Sequence, residues 1–154
     1  MLITSKGRYA LRLMIYIAAF GGNGDMEAPV TAEGLPATKV SLREVAENEK
    51  ISLKYLEQLV RPLVAAGLLK SVRGKGGGYV LAQPATGIVV GDILRAAEGE
   101  KPAVACDGLE GTCLRSDLCS TVKFWTGLER VIDAYVDSVT LADLAKVPEI
   151  KLDL

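Results

Sequence analysis

The hydrophobic and polar positions between residues 41 and 81 predict two helices followed by a hairpin. Ser41 and Glu44 form a capping box that predicts a helix start, and the polar residues 48–50 should end this helix. Ser52 is suited to cap a second helix, and Gly67 should end it in a left-handed conformation. The core face of the second helix is predicted from three- and four-residue spacing: Leu53, Leu56, Leu59, Val60 and Leu63. Two helices joined this closely are typical of a helix-turn-helix.

Residues 68–72 and 79–81 follow the second helix and are predicted as two short strands. The turn between them, residues 73–78, contains Arg73, Lys75 and four glycines, and so much glycine indicates positive φ angles. A helix-turn-helix followed by a basic, glycine-rich hairpin predicts a winged helix.

This arrangement predicts binding to duplex DNA, because a helix fits the major groove and its exposed side chains can contact base edges. Arg73 and Lys75 are suited to phosphates or to a narrow minor groove. An amphipathic helix with a solvated face, or a protein-docking winged helix, is the alternative. A nucleotide site at the glycines is disfavoured, because no Lys-Ser/Thr follows them and the next element is a strand. The outward set of the second helix, our candidate DNA-reading face, is Lys54, Tyr55, Glu57, Gln58 and Arg61.

An earlier helix is expected to begin at Thr4 or Ser5 and to end near residue 20. Its core face should contain Ala10, Leu13, Met14 and Ile17. Three cations near its start could contact the DNA backbone or could form a solvated basic turn: Lys6, Arg8 and Arg12. Residues 21–40 are rich in small residues and are predicted to form a flexible loop.

The second half of the chain predicts helices at residues 92–98, 121–139 and 141–146, the last one capped by Thr140. The helix at 121–139 carries a narrow apolar stripe at three- and four-residue spacing, which favours a dimer interface. The predicted interface residues are Trp125, Leu128, Ile132, Tyr135 and Val139.

The net charge of −1 conceals a basic front half and an acidic back half, since residues 84–154 carry twelve acidic and seven basic side chains. We therefore divide the chain into a winged helix-turn-helix domain, 1–83, and a cysteine loop with a dimerisation helix, 84–154. The fold class is mainly α with a small β wing. The apolar run at 13–20 is too short to span a membrane and lacks a signal-peptide cleavage pattern, so we expect a cytoplasmic protein without a membrane partner.

All three cysteines lie within fourteen residues, with the spacing C-x6-C-x5-C: Cys106, Cys113 and Cys119. Neither this spacing nor the complete absence of histidine fits a zinc site. An iron–sulfur cluster tolerates irregular loops but takes four ligands, which leaves one position for a carboxylate, for solvent or for a second subunit. Thiol redox chemistry and inert cysteines are the alternatives. The nearby carboxylates are Asp107, Glu110 and Asp117.

Several segments resemble one known family, the bacterial winged-helix repressors that include IscR, NsrR, RirA and CymR. They are MLITSKGRYALRLM, ISLKYLEQLVRPLVAAGLLKSVRGKGGGYVLAQP, IVVGDILRAAEG, the three cysteines and VTLADL. The resemblance implies a homodimeric transcription factor on a palindromic operator, most often a repressor. It implies base contacts from Lys54, Glu57 and Gln58, and a minor-groove contact from Arg73. Lys54 replaces a small hydroxyl residue of the best-studied pattern, so the operator sequence stays open.

The resemblance also implies that the three cysteines hold a 2Fe–2S or 4Fe–4S cluster, which can be lost in air. Val122 stands where IscR-like members have a histidine as fourth ligand. Other relatives take a carboxylate from the first helix of the other subunit, near the position of Arg8. CymR-like members carry no cluster and respond through a partner enzyme of cysteine synthesis.

The sequence therefore predicts a dimeric DNA-binding regulator controlled by an iron–sulfur cluster. The alternatives are a clusterless regulator, which acts through thiol oxidation or a cysteine-synthesis enzyme, and an adaptor that does not bind DNA. An enzyme is disfavoured, because the chain has no histidine, no nucleophile elbow and no carboxylate pair in a pocket-like context.

Overall fold

The computed structural model describes residues 1–21 and 39–145, which form six α-helices and one antiparallel pair of strands. The prediction of a mainly α fold with a small β wing is confirmed. The predicted flexible loop, 21–40, falls almost entirely outside the described residues, as does the predicted end of the last helix at residue 146. The helices are α1 Ser5–Phe20, α2 Leu42–Glu49, α3 Leu53–Ala65, α4 Val90–Glu98, α5 Ser120–Ser138 and α6 Leu141–Ala145; the strands are β1 Leu69–Val72 and β2 Gly78–Leu81.

The three predicted helix starts in the first half are confirmed, and each has a hydroxyl residue as its N-cap. The hydroxyl oxygen of Thr4 accepts from the amide of Lys6, at 3.1 Å. The hydroxyl oxygens of Ser41 and Ser52 each accept from an amide three residues later, at 3.2 Å. These bonds satisfy amides that a helix leaves without partners in its first turn. The carboxylate of Glu44 accepts a hydrogen bond from the phenol of Tyr16, so this side chain also joins α2 to α1.

The end of α3 is a Schellman motif, as Gly67 predicts. Gly67 has φ +72°, and its amide donates to the carbonyl of Val64 at 3.0 Å. The amide of Leu68 donates to the carbonyl of Leu63, also at 3.0 Å. Both leucine side chains are buried, which supplies the apolar contact that accompanies this motif. The motif turns the chain sharply from the second helix into the wing.

The wing is an antiparallel pair in which Leu69 lies opposite Leu81 and Val72 opposite Gly78. Gly74 and Gly76 have positive φ angles, as the glycine-rich turn predicts. Gly78 has another role, because a Cβ there would lie 2.5 Å from the carbonyl oxygen of Val40. This closeness lets Val40 and Tyr79 exchange two backbone hydrogen bonds, of 3.0 and 2.8 Å. The wing is therefore attached to the segment that leads into α2.

The main hydrophobic cluster contains residues from both halves of the chain. The predicted core face of α1 is fully buried, and it shares the cluster with Ile88 and Ile93 near α4 and with Leu141 of α6. The boundary predicted at residue 83 therefore does not separate two hydrophobic cores. Leu53 was expected in the core but is 36% exposed, because it is the first residue of α3 and lies beyond the buried face.

The C-terminal end of α5 is attached to the beginning of α4. The amide of Val90 donates to the carbonyl of Val139 at 2.9 Å, and the amide of Leu141 donates to the carbonyl of Ile88 at 2.8 Å. A smaller apolar cluster, which includes Val90, Leu94 and Val136, fills the space between the two helices. In the ranges that the structure describes, no helix combines the length and the apolar character needed to cross a membrane.

Candidate nucleic-acid interface and cysteine loop

The predicted DNA-reading face of α3 lies at the surface. Lys54, Glu57, Gln58 and Arg61 are exposed, while the four leucine and valine residues on the opposite side of the helix are buried. Tyr55 is half-buried. The separation follows from the 3.6-residue period of the sequence, which directs one side of α3 into the core and leaves the other side free for a ligand.

Tyr55 joins the start of α3 to the start of α1. Its ring meets the ring of Tyr9 edge to face, with the ring centroids 5.8 Å apart. The guanidinium carbon of Arg8 lies 5.8 Å from the centroid of Tyr9, and that of Arg12 lies 5.7 Å from it. Both distances allow a cation–π attraction. The guanidinium groups of Arg8 and Arg12 therefore lie beside the tyrosine pair that joins α1 to the beginning of α3. The side chains of Lys6 and Arg8 are exposed.

Arg12 differs from the other two cations because it has a partner inside the protein. Its guanidinium donates to the carboxylate of Glu49 at 2.8 Å and to the backbone carbonyl of Glu49 at 2.7 Å. This contact places a cation at the C-terminal end of α2, where the helix dipole favours it. Of the three cations near the start of α1, Arg12 is therefore paired within the protein.

Arg73 and Lys75 lie at the tip of the wing, and both side chains are exposed. They occupy the turn between Val72 and Gly78, which the glycines bend back on itself. The wing therefore presents two exposed cations at the tip of a short hairpin, which the backbone bonds between Val40 and Tyr79 attach to the rest of the domain.

The cysteine loop runs from Gly99 to Cys119 and is built mainly from backbone turns. The amide of Leu109 donates to the carbonyl of Cys106 at 2.9 Å, and a 3₁₀ turn at Ser116–Leu118 ends the loop. All three thiols are free and partly exposed. Cys113 and Cys119 line one surface cavity of about 400 Å³. No group of three Cys, Asp or Glu side chains within the described part of the chain is close enough to hold a metal ion.

Cys119 is the N-cap residue of α5, and its environment favours the thiolate. Its sulfur lies 3.0 Å from the hydroxyl of Thr121. Hydrogen bonds from this hydroxyl and from the amides of Val122 and Thr121 lower the pKa of the Cys119 thiol. The thiolate is the form of cysteine that binds metal ions and acts as a nucleophile.

Val122 occupies space next to Cys106. A Cβ placed on Gly108 would lie 2.6 Å from the side chain of Val122 and 3.5 Å from the sulfur of Cys106. The first turn of α5 therefore packs on the loop next to its first cysteine. The side chain at position 122 is an aliphatic group with no metal-binding atom.

The apolar stripe predicted on α5 is divided between two faces. Ile132 and Val139 pack against the chain's own smaller cluster, and Trp125 is half-buried beside Phe124, with ring centroids 4.9 Å apart. Leu128 and Tyr135 belong to a separate exposed face. That face is completed by Phe124 and Val131, which sequence reasoning missed although their spacing of four, three and four residues could have indicated it. The exposed fractions are 63% for Phe124, 37% for Leu128, 66% for Val131 and 70% for Tyr135.

Comparison with known proteins identifies the family to which this arrangement belongs. The family model described as "Rrf2: Iron-dependent Transcriptional regulator" matches residues 3–147. The chain belongs to the Rrf2 family. This match covers the winged helix, the cysteine loop and α5 together, so the Rrf2 assignment applies to the whole arrangement.

Curated Rrf2-type relatives carry the name "HTH-type transcriptional regulator IscR". The protein from Yersinia enterocolitica is 37% identical over 150 residues, which cover 97% of this chain and 82% of that protein. The protein from Serratia proteamaculans is 38% identical over 144 residues, which cover 94% of this chain and 79% of that protein. The suspected resemblance is therefore confirmed.

Solved structures give the same assignment. CymR of B. subtilis, described as a global cysteine regulator, matches with a TM-score of 0.68 and 36% identity, covering 94% of this chain and 96% of that one. T. potens IscR matches with a TM-score of 0.65 and 35% identity, covering 95% of this chain and 87% of that one. The protein is a DNA-binding transcriptional regulator and not an enzyme, because its relatives are named transcriptional regulators.

Proposed function

We propose that the protein is a homodimeric regulator of a palindromic operator and that an iron–sulfur cluster in the cysteine loop controls its DNA affinity. The contact between Tyr9 and Tyr55 is the main observation that supports the DNA-binding part of this proposal. It brings the cations of α1 next to the exposed face of α3, so phosphate-binding and base-reading groups are neighbours. A protein that recognises a DNA sequence needs both kinds of contact. Phosphate contacts fix the position of the protein on the duplex, and base contacts determine which sequence it recognises.

Each exposed side chain of α3 has a chemistry suited to the major groove. Gln58 can pair with adenine, Glu57 can accept from cytosine, and Lys54 can bind guanine or a phosphate. Tyr55 and Arg61 would contact the phosphates on either side. Arg73 and Lys75 of the wing would add contacts to the minor groove or to the adjacent backbone. Lys6 and Arg8 would hold the backbone beside the start of α3.

The exposed face of α5 supports the homodimer. Phe124, Leu128, Val131 and Tyr135 form a narrow apolar row along a 19-residue helix. A row with this spacing is the seam by which two helices associate. A second copy of the same helix would cover the row, and two-fold symmetry would place two α3 helices on the two halves of a palindrome. Trp125 would lie at the edge of this interface, while Ile132 and Val139 would support it from within.

Cys106, Cys113 and Cys119 would hold the cluster. Three free thiols in one loop, two of which line one cavity, are the donor type that iron–sulfur clusters take. The loop would have to bring the three sulfur atoms closer together to share one cluster. When bound, the cluster would supply a redox- and iron-sensitive group that ties the loop together. Val122 offers no fourth ligand, so the remaining position would be filled from elsewhere. Such a regulator would act on promoter DNA in the cytoplasm, where thiols stay reduced.

The first test is the visible absorption spectrum, with iron and sulfide analysis, of protein prepared without oxygen. The wild type should be coloured and should contain both elements in similar amounts, and Cys106→Ala should lose them. Leu114→Ala is the matched control, because this loop side chain is fully exposed and should not affect the cluster. A colourless, iron-free wild type would contradict the cluster part of the proposal.

A footprint on the protein's own promoter region tests the DNA-binding part. Neutralising Arg73 and Lys75 together should remove the footprint, because both lie at the exposed tip of the wing. A wild type without any footprint would favour an adaptor that does not bind DNA.

A clusterless regulator is the second candidate, and two observations favour it. No three metal-binding side chains are close together among the described residues, and three CymR structures are among the structural matches. In this case the three cysteines would respond by thiol oxidation, or the protein would bind an enzyme of cysteine synthesis. The iron and sulfide analysis separates this candidate from the first.

A further inference from the structure

Glu98 is the last residue of α4, and its carboxylate lies at the first turn of α1. One carboxylate oxygen accepts from the amide of Thr4 at 2.5 Å and from the amide of Gly7 at 2.8 Å. The hydroxyl of Thr4 donates to the same carboxylate, at 2.8 and 2.9 Å to its two oxygens. Two residues separated by more than ninety positions in sequence are thus joined by several hydrogen bonds.

This contact is favourable for clear physical reasons. The first amides of a helix have no partner within the helix, and the positive end of the helix dipole attracts a carboxylate. Burial raises the pKa of Glu98, but the hydrogen bonds from Thr4 and Gly7 and the charge of Lys6 outweigh it and lower the pKa overall. Gly7 permits the close approach, because a Cβ there would lie 2.8 Å from the carboxylate oxygen.

A second contact holds the same two segments together. The amide of Leu2 donates to the carbonyl of Lys101 at 3.1 Å. Between Glu98 and Lys101 the chain passes through Gly99, which has φ +79° and ends α4. The first residues of the cysteine loop are therefore attached to the segment that leads into α1. The exposed cations Lys6 and Arg8 lie within two turns of this attachment.

We infer that Glu98 is a positioning residue for DNA binding, which fixes the first turn of α1 so that Lys6 and Arg8 meet the phosphates. The inference rests on the proposed contact between these cations and DNA. Glu98 itself makes no contact with the DNA. It holds the helix that carries the cations, and it does so at the point where the cysteine loop begins.

The test is a double-mutant cycle between Glu98 and Arg8, measured as DNA dissociation constants over a range of salt concentrations. Arg8→Gln in the wild type should weaken binding and reduce the magnitude of the salt slope by about one, as expected for one lost phosphate contact. In a Glu98→Gln background, Arg8→Gln should have a much smaller effect, because the cation is already misplaced. Base preference among operator variants should not change in either background.

Glu49→Gln is the matched control, since it removes a carboxylate that binds Arg12 instead of the first turn of α1. In this background Arg8→Gln should keep its full effect. If Glu98→Gln does not fold, Thr4→Val removes the hydroxyl bonds to Glu98, together with the acceptor of the Lys6 amide, and should give a smaller reduction in the same direction.

Equal effects of Arg8→Gln in the wild-type and Glu98→Gln backgrounds would overturn the inference and leave the proposed function intact. A wild type that binds no DNA would overturn the proposed function and this inference with it. If Glu98 had only a structural role, Glu98→Gln would lower the thermal stability without changing the effect of Arg8→Gln on DNA binding, and this result too would overturn the inference.

Discussion

Replacing Gly78 by alanine should detach the wing from the rest of the domain. A Cβ at this position would lie 2.5 Å from the carbonyl oxygen of Val40 and 2.8 Å from its carbonyl carbon. Both are backbone atoms, so they cannot rotate away as the end of a long side chain would. The φ angle of Gly78 is not in the positive region, so the effect comes from this collision and not from backbone strain.

The size of the effect follows from the bonds that must break. To relieve the collision, β2 has to move away from Val40, and the two backbone hydrogen bonds between Val40 and Tyr79 are lost. At about 1 kcal/mol for each bond, the free energy of unfolding should fall by about 2 kcal/mol. For a chain of this length, that corresponds to a decrease in Tm of about 4–8 °C.

The assay combines thermal unfolding, followed by circular dichroism, with DNA affinity. Binding should weaken for every operator sequence, because Arg73 and Lys75 lose the fixed base of their hairpin. Gly127→Ala in α5 is the matched control, since a Cβ there meets no atom within 4 Å. Alanine at that exposed helical position should stabilise the protein slightly. A Gly78→Ala protein with an unchanged Tm and normal DNA affinity would refute the close contact between β2 and Val40.

Three further predictions concern the interface, the dimer and pH. Glu57→Ala should relax the preference at one base pair, worth about 1–3 kcal/mol of discrimination, with little change in overall affinity; an unchanged ranking of operator sequences would disprove the base contact. Val131→Asp should convert the dimer into a monomer in sedimentation velocity, whereas the control Lys123→Asp on the same helix should stay dimeric. If Val131→Asp also stays dimeric, the proposed seam is wrong. Burial raises the pKa of Glu98, but the hydrogen bonds from Thr4 and Gly7 have the larger effect, so the pKa is lowered overall from its ordinary value of 4.5. The carboxylate therefore contributes its full stabilisation above pH 4.5, and this contribution is lost as the pH falls through the lowered pKa. The stability difference between wild type and Glu98→Gln should therefore be large near pH 7 and should disappear in acid, and a difference that persists in strong acid would contradict this linkage.

Local features of the sequence predicted local structure well. Ser41, Ser52 and Gly67 act on amides and carbonyls only three to five residues away, so their effect does not depend on the rest of the fold. The buried face of α3 was also predicted, because a helix between two turns has one wide apolar side. The same reasoning predicted most of the exposed side chains of α3, but Tyr55 is half-buried and Leu53 is exposed.

Contacts between distant segments could not be predicted in this way. The pairing of Arg12 with Glu49 joins two helices that are separated by 37 positions, and no pattern in either helix specifies the partner. The role of Gly78 depends on where Val40 passes, which only the folded chain defines. The division of the predicted α5 stripe between two faces could not be predicted for a similar reason. Apolar residues surround much of this helix, and the position of α4 decides which of them are buried.

The attachment of α5 explains how a change in the cysteine loop could reach the DNA-binding helices. At its C-terminal end, Arg95 of α4 donates to the carboxylate of Asp137, and residues 88–90 pair with residues 139–141. At its other end, Cys119 is the N-cap of the helix. A helix of 19 residues is about 28 Å long and resists bending. A ligand that reorders the loop would therefore act on one end of a stiff element whose other end is part of the core around α4. Since Glu98 then connects α4 to α1, both ends of α4 are joined to elements that we propose to be functional.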